Sequence, residues 1–518
     1  MDTTSHWMKS SSPPAFPRLE ETLQVDVAVI GAGITGITTA LLLKEAGLTV
    51  ALVERGRCAR VDTGHTTAHC TAVTDLRLAE MERQFGPEVA RVVWAAGMTA
   101  VDKIEALARA RGVDCRFARC DGFLHAARRD EDPGELRAEF EAARRLGIAA
   151  EWVDAVPPFG VPGVRFPDQA LFHPLRYLAG LLPTIPGGGS HVFELSDAHE
   201  AEDPPRRIVT PHGRIDCGHI IFATHNPLQG RASLASATLL QSKLALYSTY
   251  AIAAELPPGR IPAGSYWDTA EPYRYLRVEN LPDRDLLIYG GEDHKTGQVS
   301  DTPAAYARLE ARLRAFALPA KIESRWSGQV IETNDGLPFI GEMAEREFVA
   351  TGFSGNGMTF GTVAAMMAVD FVLGRAHPWG RVFDPHRTKV RGGLWSYLKE
   401  NKDYPYHLVR GRLVAPDAES VRELPRGEGR ILEMDGRRVA AYRDPRGRIH
   451  LCSAVCPHMQ CIVGWNPAEH TWDCPCHGSR FEPDGSVMSG PAEESLERLS
   501  LLTGRSLPRN RRKRPAAR

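Results

Sequence analysis

Apolar runs typical of buried strands alternate with helical spacing in the first part of the chain. Residues 25–30 form an apolar, β-branched run, as expected for a strand buried on both faces. A helical segment follows and ends near Gly47, and residues 48–54 form a second apolar run. Residues 75–112 place apolar side chains three and four positions apart, which predicts helices. This order predicts a βαβ unit at the start of an α/β domain.

Strand patterns and glycine turns continue through the rest of the chain. Residues 213–225 have the pattern of a strand, a turn and a second strand, and residues 282–297 that of a strand ending in a glycine turn. Residues 346–374 predict a strand, a glycine-rich loop and an apolar core helix that is too short to cross a bilayer. From Val414 onwards, short strands separated by turn signals predict a small antiparallel β domain.

Length and charge restrict the class of protein. The 518 residues suggest about three domains at the usual size of roughly 150 residues each. Lys and Arg number 63 and Asp and Glu 64, a balance that excludes a generally basic nucleic-acid binder and an acidic disordered chain. No apolar run reaches the ~18 residues of a membrane span, and the N-terminus has no apolar signal segment. We therefore expect a cytoplasmic protein without a membrane span and without a nucleic-acid partner.

Half of the cysteines are crowded together near the C-terminus. A secreted disulfide scaffold spreads its cysteines through a short chain, whereas local crowding in a long chain is typical of a metal site. The crowded group is Cys452, Cys456, Cys461, Cys474 and Cys476, and the scattered cysteines are Cys58, Cys70, Cys115, Cys120 and Cys217.

A dinucleotide-binding motif lies between the first predicted strand and helix. Gly31, Gly33 and Gly36 form G-x-G-x-x-G, whose glycines allow a tight turn, close approach of a pyrophosphate and close packing of helix on strand. The helix N-terminus offers N–H groups to the phosphates. Glu54 ends the second strand, where a carboxylate accepts hydrogen bonds from ribose hydroxyls. The motif alone does not separate FAD from NAD, but a second glycine-rich segment at residues 350–361 favours the longer FAD.

Residues 25–383 resemble the D-amino-acid oxidase-like FAD-dependent oxidoreductases, which include glycine oxidase and sarcosine oxidase. The resemblance implies an α/β, Rossmann-like FAD-binding fold with an inserted α+β substrate domain. The matching segments are residues 29–47, 50–56, 220–225, 335–341 and 350–365.

The same resemblance assigns residues to the flavin ring. In that family the last glycine-rich segment lines the ring, and its helix points its N-terminus at the electron-rich pyrimidine side, where a helix dipole stabilises negative charge. By resemblance this role falls on Gly355, Asn356, Gly357, Met358 and Thr359.

The family also passes the flavin ring with a segment near residue 65. By resemblance we assign His65, Thr66 and Thr67 to FAD binding. Some relatives attach FAD covalently through a nearby His or Cys, which makes His65, His69 and Cys70 candidates for attachment, although we favour a non-covalent site.

Catalytic side chains are predicted in two segments of the substrate domain. An arginine can hold a substrate carboxylate with two parallel hydrogen bonds. We predict Arg274, Tyr275 and His294 as catalytic residues, with Tyr273 and Arg277 next to them in sequence. The alternative is that this segment is a solvated edge strand.

The C-terminal domain carries the sharpest motif of the chain. Cys456-x-His458 and Cys474-x-x-His477 are separated by fifteen residues. Two thiolates and two imidazoles on two loops fit a Rieske [2Fe–2S] cluster, in which two His replace two Cys on one iron. The alternative from these four residues alone is a Cys₂His₂ zinc site.

The surrounding residues resemble the Rieske domain of cytochrome bc complexes. Cys461 and Cys476 stand where that family ties its two cluster loops with a disulfide, and Ser479 where it donates a hydrogen bond to a cluster sulfur. Residues 489–496 resemble the proline loop that covers the cluster. High-potential bc-type proteins have Tyr where this chain has Phe481, so we predict a lower potential than theirs.

These observations divide the chain into five parts. We predict a disordered lead (residues 1–24), an FAD-dependent oxidoreductase unit (25–385), a connection (386–412), an all-β Rieske domain (413–504) and a basic tail (505–518).

The whole chain resembles bacterial fusions of a D-amino-acid-oxidase-like flavoprotein with a C-terminal Rieske domain. The resemblance implies an enzyme with FAD and a [2Fe–2S] cluster that oxidises a small amine or amino acid and passes single electrons to an external partner protein. Two alternatives stay open: electron flow from the cluster to the flavin for a reduction, and a redox module without catalysis. A Rieske oxygenase is disfavoured because too little chain follows the cluster motif for a mononuclear iron domain.

Overall fold

The computed structural model describes residues 2–198, 200–202, 206–226, 243–317, 319–387, 403–418 and 420–499. The predicted basic tail and most of the predicted connection lie outside these residues. Arg387, at the start of that connection, forms an ion pair with Asp335 (Nε to Oδ2, 2.8 Å). The helices of the described part contain no segment long and apolar enough to cross a bilayer.

Helices occur mainly in the first three quarters of the chain. They are α1 (His6–Ser10), α2 (Ile34–Glu45), α3 (Leu78–Phe85), α4 (Pro87–Ala110), α5 (Gly134–Leu146), α6 (Pro174–Leu181), α7 (Thr302–Phe316), α8 (Gly357–Val372), α9 (Gly380–Phe383) and α10 (Asp403–Leu413).

Strands occur throughout the described chain. They are β1 (Thr22–Ile30), β2 (Val50–Val53), β3 (Ala118–His125), β4 (Glu151–Val156), β5 (Val161–Leu171), β6 (His191–Phe193), β7 (Glu200–Glu202), β8 (Arg206–Val209), β9 (Arg214–Phe222), β10 (Leu244–Leu256), β11 (Gly264–Asp268), β12 (Tyr275–Asn280), β13 (Asp285–Lys295), β14 (Lys321–Thr333), β15 (Phe339–Ala344), β16 (Glu347–Thr351), β17 (Glu428–Met434), β18 (Arg437–Arg443), β19 (Ile449–Ser453), β20 (Gly464–Asn466), β21 (Thr471–Asp473), β22 (Arg480–Phe481) and β23 (Val487–Ser489).

The first sheet contains the predicted βαβ unit. Its strand order is β15-β16-β9-β1-β2-β6, with β8 and β7 attached beside β9. Strand β1 pairs in parallel with both β2 and β9, and helix α2 connects β1 to β2. Helix α2 also packs against α8, so the two glycine-rich segments of the sequence meet at one end of this sheet.

The turn predicted within residues 213–225 is absent from the described structure, whereas the turn predicted at the end of residues 282–297 is present. Residues 213–225 contain the single strand β9, which pairs with β1 along its whole length. Strand β13 continues through Gly290 and Gly291, because β10 pairs with it on both sides of these glycines. It ends at Lys295, before a turn in which Gly297 has a φ of 79°. Where the neighbouring backbone groups are already paired, local turn propensity is overridden and the strand continues.

The second sheet carries the substrate-side strands. Its order is β14-β10-β13-β12-β11-β3-β5-β4, and helix α7 packs against β10 and β13. The pairing is antiparallel except between β11 and β3. Long strands from distant parts of the chain thereby form one wall beside the first sheet.

The prediction of a disordered lead is wrong for its described part. Helix α1 lies inside it, and strand β1 begins at Thr22. Trp7 and Leu19 are fully buried, and the Trp7 indole N–H donates to the carbonyl of Thr66 at 2.7 Å. Burial of two such apolar side chains contributes roughly 2–3 kcal/mol each, which offsets the entropy of ordering a short segment.

The C-terminal region forms the predicted small antiparallel β domain. It consists of two sheets, β17-β18-β19 and β20-β21-β22-β23. The domain contacts the second sheet through α7, where Thr302 Oγ1 donates to Asn466 Oδ1 and the Tyr306 hydroxyl donates to Glu469 Oε1, both at 2.7 Å. These buried polar contacts hold it against the oxidoreductase unit.

Candidate active site and cluster site

A long cavity runs between the two large sheets and reaches the C-terminal domain. One end lies at the C-terminal ends of β1 and β2, and the other lies between β10, β12, β13 and the start of α8. Residues 488–493 of the C-terminal domain close part of it. The cavity therefore joins the predicted dinucleotide site to the predicted flavin-ring site.

Backbone contacts at the dinucleotide end leave no room for a side chain at two of the three motif glycines. A Cβ on Gly36 would overlap the carbonyl oxygen of Gly31, and a Cβ on Gly31 would lie 2.5 Å from the carbonyl oxygen of Ala223. Gly31 and Gly33 line the cavity, whereas Gly36 lies behind it and allows α2 to pack on β1. The three positions fit the roles that the motif predicts.

Glu54 is held rigidly at the edge of the same end. Its Oε2 accepts from the Ala32 N–H and its Oε1 from the Gly56 N–H, both at 2.8 Å. Burial raises the pKa of this carboxyl, and the two N–H donors oppose that shift. Each oxygen keeps a further lone pair, so the carboxylate fits a ribose diol.

The flavin-ring end brings together segments that are far apart in sequence. Asn356 Nδ2 donates to the carbonyl of Val73 (2.8 Å), and Thr359 Oγ1 donates to that of Thr71 (2.9 Å). The residues of this segment that line the cavity are Gly355, Asn356, Gly357 and Met358. Thr359 is fully buried behind them and fixes the start of α8 rather than facing the cavity.

The predicted ring-facing segment also lies on the cavity. His65, Thr66, Thr67 and His69 line it. Cys70 is fully buried away from the lining, and burial raises the pKa of its thiol to about 12. A neutral thiol so placed is not a nucleophile for attachment.

Only one of the three predicted catalytic residues lines the cavity. Tyr275 does so, and its hydroxyl lies 2.7 Å from Thr249 Oγ1. The Arg274 guanidinium instead donates to Asp268 Oδ2 (2.6 Å), and the His294 ring stacks on Tyr250 with centroids 5.6 Å apart. Arg274 and His294 therefore play no part in the function proposed below.

The sequence did not reveal the two carboxylates at this end of the cavity. Asp75 and Asp293 both line it, together with Tyr273 and Trp267. Asp293 is the neighbour of His294 on β13, so the two side chains point to opposite faces of the sheet. The alternation was visible in the sequence, but the face that meets the cavity was not.

The four predicted cluster ligands converge from two loops. Cys456 and Cys474 are buried, and the rings of His458 and His477 lie 5.0 Å apart between centroids. A hydrogen bond from the Cys474 thiol lowers the pKa of the Cys456 thiol. Two adjacent thiols and two adjacent imidazoles form the donor set that a Rieske cluster requires.

Both loops are held by the features that the resemblance implied. A disulfide joins Cys461 to Cys476, with Cα atoms 6.4 Å apart. The Sγ atom of Cys474 lies within 4.8 Å of both disulfide sulfurs. Ser479 Oγ accepts from the Ala492 N–H at 3.0 Å, which fixes the proline loop over the Cys456 side.

One glutamine connects the cavity with the cluster loops. Gln329 of β14 lines the cavity, and its Nε2 donates to the carbonyl of Gly478, the residue after His477, at 2.7 Å. Its Oε1 accepts from the Ser489 hydroxyl at 2.7 Å. The cluster loops therefore contact the cavity wall directly.

Comparison with known families identifies the class of protein. The family FAD dependent oxidoreductase (DAO) matches residues 26–371, and the family Rieske [2Fe-2S] domain matches residues 416–500. The chain belongs to the FAD-dependent oxidoreductase family and carries a C-terminal Rieske domain. It is an enzyme of the oxidoreductase class with FAD and a [2Fe–2S] cluster as cofactors, which confirms the predicted family, fold class and cofactors.

Individual relatives share this arrangement to different extents. YhfW of Bacillus subtilis (strain 168), named as a Rieske 2Fe-2S iron-sulfur protein, is 35% identical over 504 residues, covering 96% of this chain and 97% of YhfW. Gamma-glutamylputrescine oxidoreductase of Escherichia coli (strain K12) is 25% identical over 431 residues, covering 79% of this chain and 99% of that protein. Glycine oxidase from Geobacillus kaustophilus has the same fold, with a TM-score of 0.60 at 18% identity over 71% of this chain and 99% of its own.

Proposed function

We propose that the enzyme oxidises a small amine or amino acid and passes the electrons one at a time through the Rieske cluster to an external one-electron acceptor protein. FAD supplies a two-electron acceptor and the cluster a one-electron carrier. The donor loses a proton from nitrogen and a hydride from the adjacent carbon, which leaves an imine. Two electrons must then leave the enzyme in two steps.

The proposed FAD site uses the two ends of the cavity. Gly31 and Gly33 leave room for the pyrophosphate, and Glu54 accepts from the ribose. His65, Thr66 and Thr67 lie along the same cavity. At the far end the N-terminus of α8 offers backbone N–H groups to negative charge on the flavin.

The proposed cluster site uses Cys456, His458, Cys474 and His477. Support comes from their convergence and from the disulfide that ties the two loops. A zinc site would need only the four ligands, whereas the Ser479 contact and the proline loop match what surrounds a Rieske cluster.

The proposed electron route rests on the direct contact between the wall of the flavin cavity and the cluster loops. Gln329 lines the cavity and bonds both to the backbone beside His477 and to the proline loop. A second contact runs from Gln298 Nε2 to the carbonyl of Pro475, between two cluster-loop cysteines, at 3.1 Å. A cluster bound by these loops is adjacent to the flavin cavity. Two domains that worked independently would not need this adjacency.

The test is an anaerobic titration of the holoenzyme with primary amines, secondary amines and α-amino acids. Flavin absorbance and the EPR signal of a reduced Rieske cluster are followed together. We expect a donor to bleach the flavin and to generate the cluster signal. In a Cys456→Ser control, which lacks a cluster ligand, we expect bleaching without the signal. The proposal is contradicted if no donor class changes either centre, or if only a reduced cluster can reduce the flavin.

A further inference from the structure

The substrate end of the cavity is enclosed by aromatic rings. His69 lies 5.5 Å from both Trp267 and Tyr275, measured between ring centroids, and Tyr273 lies 6.0 Å from Tyr275. All four line the cavity. Aromatic faces attract organic cations and are the walls of known ammonium-binding cages.

Two carboxylates face the same space. Asp75 accepts from the Tyr273 hydroxyl at 2.9 Å and from the Gly355 N–H at 2.8 Å, which places it beside the predicted flavin-ring segment. Asp293 lines the cavity next to Thr249, and its Oδ1 atom is buried with no hydrogen-bond partner among the described residues. A buried carboxylate oxygen without a donor is costly, and a bound cation or N–H group would satisfy it.

The His69 imidazole at this end also has an unsatisfied hydrogen-bonding atom. His69 is buried, with 6% of its surface exposed. Its Nε2 atom has no hydrogen-bond partner in the described part of the chain. Burial, together with the nearby Arg277, lowers the pKa of His69 to about 3, so the imidazole is neutral. A neutral imidazole adds no positive charge to this end of the cavity and can form a hydrogen bond with the nitrogen of an amine.

Positive charge is confined to the other end of the described lining. Its arginines are Arg55, Arg57 and Arg60, which lie in the segment after Glu54, and it contains no lysine. On the substrate side, Arg277 is 1% exposed and donates to the carbonyls of Ala68 and Phe172. Among the described residues, therefore, no cation is available there to pair with a substrate carboxylate.

We infer that Asp75, Asp293 and the surrounding aromatic rings bind the substrate as an organic ammonium ion with no carboxylate on the carbon that is oxidised. This inference rests on the proposed function and narrows its substrate class from amines and amino acids to amines. The carboxylate of an α-amino acid would be repelled by the two aspartates in this partly enclosed space. An amine without a carboxylate presents only its ammonium group, which the aspartates attract. The oxidation remains balanced: the ammonium loses a proton and a hydride and becomes an iminium ion.

Binding can be tested separately from turnover with two unreactive probes of similar size. Benzyltrimethylammonium carries a fixed positive charge, and benzoate carries a negative one. Each is titrated into oxidised holoenzyme while the flavin absorbance spectrum is followed. We expect the cation to perturb the spectrum with saturable binding, and Asp293→Asn and Asp75→Asn each to weaken it by about tenfold. Asp130→Asn removes an equal charge from an exposed site and should leave binding unchanged.

Three results separate the inference from the proposed function. Tighter binding of benzoate than of the cation, or unchanged cation binding in both cavity variants, overturns the inference. Reduction of the flavin by 2-aminobutanoate as readily as by propylamine, which lacks only the carboxylate, also overturns it but leaves the proposed function intact. Cation binding that depends on Asp293, without bleaching by any amine or amino acid, supports the binding site and refutes the proposed oxidation.

Discussion

At the scale of single residues, Asp293 makes the cavity sensitive to pH. Burial raises the pKa of this carboxyl from 3.8 to about 7, Asp75, Glu271 and Glu292 add to the shift, and a hydrogen bond from Thr249 opposes it. The group is therefore neutral below about pH 7 and negative above it, so cation binding should strengthen as the pH rises through that value.

The corresponding measurement is the Kd of benzyltrimethylammonium between about pH 6 and about pH 8, where the ionised fraction of such a group changes about tenfold. The probe itself does not titrate. Because the neutral form should bind about as weakly as Asp293→Asn, we expect about fivefold tighter binding at the higher pH and a flat profile in that variant. A pH-independent Kd in the unaltered enzyme would show that Asp293 does not face the ligand.

A second residue-scale prediction concerns the potential of the cluster. Phe481 is fully buried in the core that also contains Cys456 and Cys474. By resemblance, a tyrosine at this position donates a hydrogen bond to a ligand sulfur. A net hydrogen bond of about 1 kcal/mol corresponds to about 40 mV for a one-electron couple. We expect Phe481→Tyr to raise the midpoint potential by about that amount in an EPR-monitored redox titration. An unchanged or lower potential would refute the role assigned to this position.

At the scale of elements, the contact between α2 and β1 depends on one missing methyl group. In Gly36→Ala the added Cβ would overlap the Gly31 carbonyl oxygen and push the helix away from the strand. Overpacking of this kind typically lowers the free energy of unfolding by about 1–3 kcal/mol. We expect a lower Tm and loss of bound FAD, measured as the flavin-to-protein absorbance ratio.

Gly380→Ala is the matched control for that substitution. No atom of the described residues lies within 4 Å of a Cβ added at Gly380, which begins α9 and is not part of the motif. This variant should keep its FAD and its Tm. If Gly36→Ala also retains FAD at the normal ratio, the close helix–strand contact is not needed for cofactor binding.

The sequence predicts the features that depend on local motifs, but not those that depend on how distant elements pack. Gly31, Gly33 and Gly36, and the paired Cys-x-His and Cys-x-x-His motifs, are local patterns whose chemistry follows from spacing, and the families they predict are confirmed. Trp7 was missed because its burial depends on a groove built by segments more than fifty residues away. Asp75 and Asp293 were missed because their meeting depends on how two sheets face each other across a cavity.

At the scale of the whole molecule, Gln329 is the direct hydrogen-bonded bridge from the cavity wall to the cluster loops. Gln329→Leu keeps a similar volume and removes the bonds to Gly478 and Ser489, as well as the bond from Nε2 to Thr296 Oγ1 (3.2 Å) within the oxidoreductase unit. Loss of the two bonds that reach the C-terminal domain, roughly 1 kcal/mol each, should loosen the cluster loops and lower the ratio of cluster-reduction rate to flavin-bleaching rate by about tenfold. Rapid-mixing absorbance and EPR measure the two rates.

Gln298→Leu serves as the control for the Gln329 substitution. It removes the single contact to Pro475 from a residue that does not line the cavity. We expect the ratio of the two rates to stay within about twofold. Equal effects of the two substitutions would show that general docking of the domain, rather than the bridge at the cavity, governs electron transfer.

The central claim is that one chain accepts an electron pair at FAD and releases single electrons through its Rieske cluster. The most direct test is an anaerobic single turnover with an amine, in which flavin absorbance and the cluster EPR signal are followed in time. The account predicts that the flavin bleaches first and that the cluster signal then grows as part of the flavin absorbance returns. Growth of the cluster signal before any change at the flavin, or bleaching that never reaches the cluster, would contradict it.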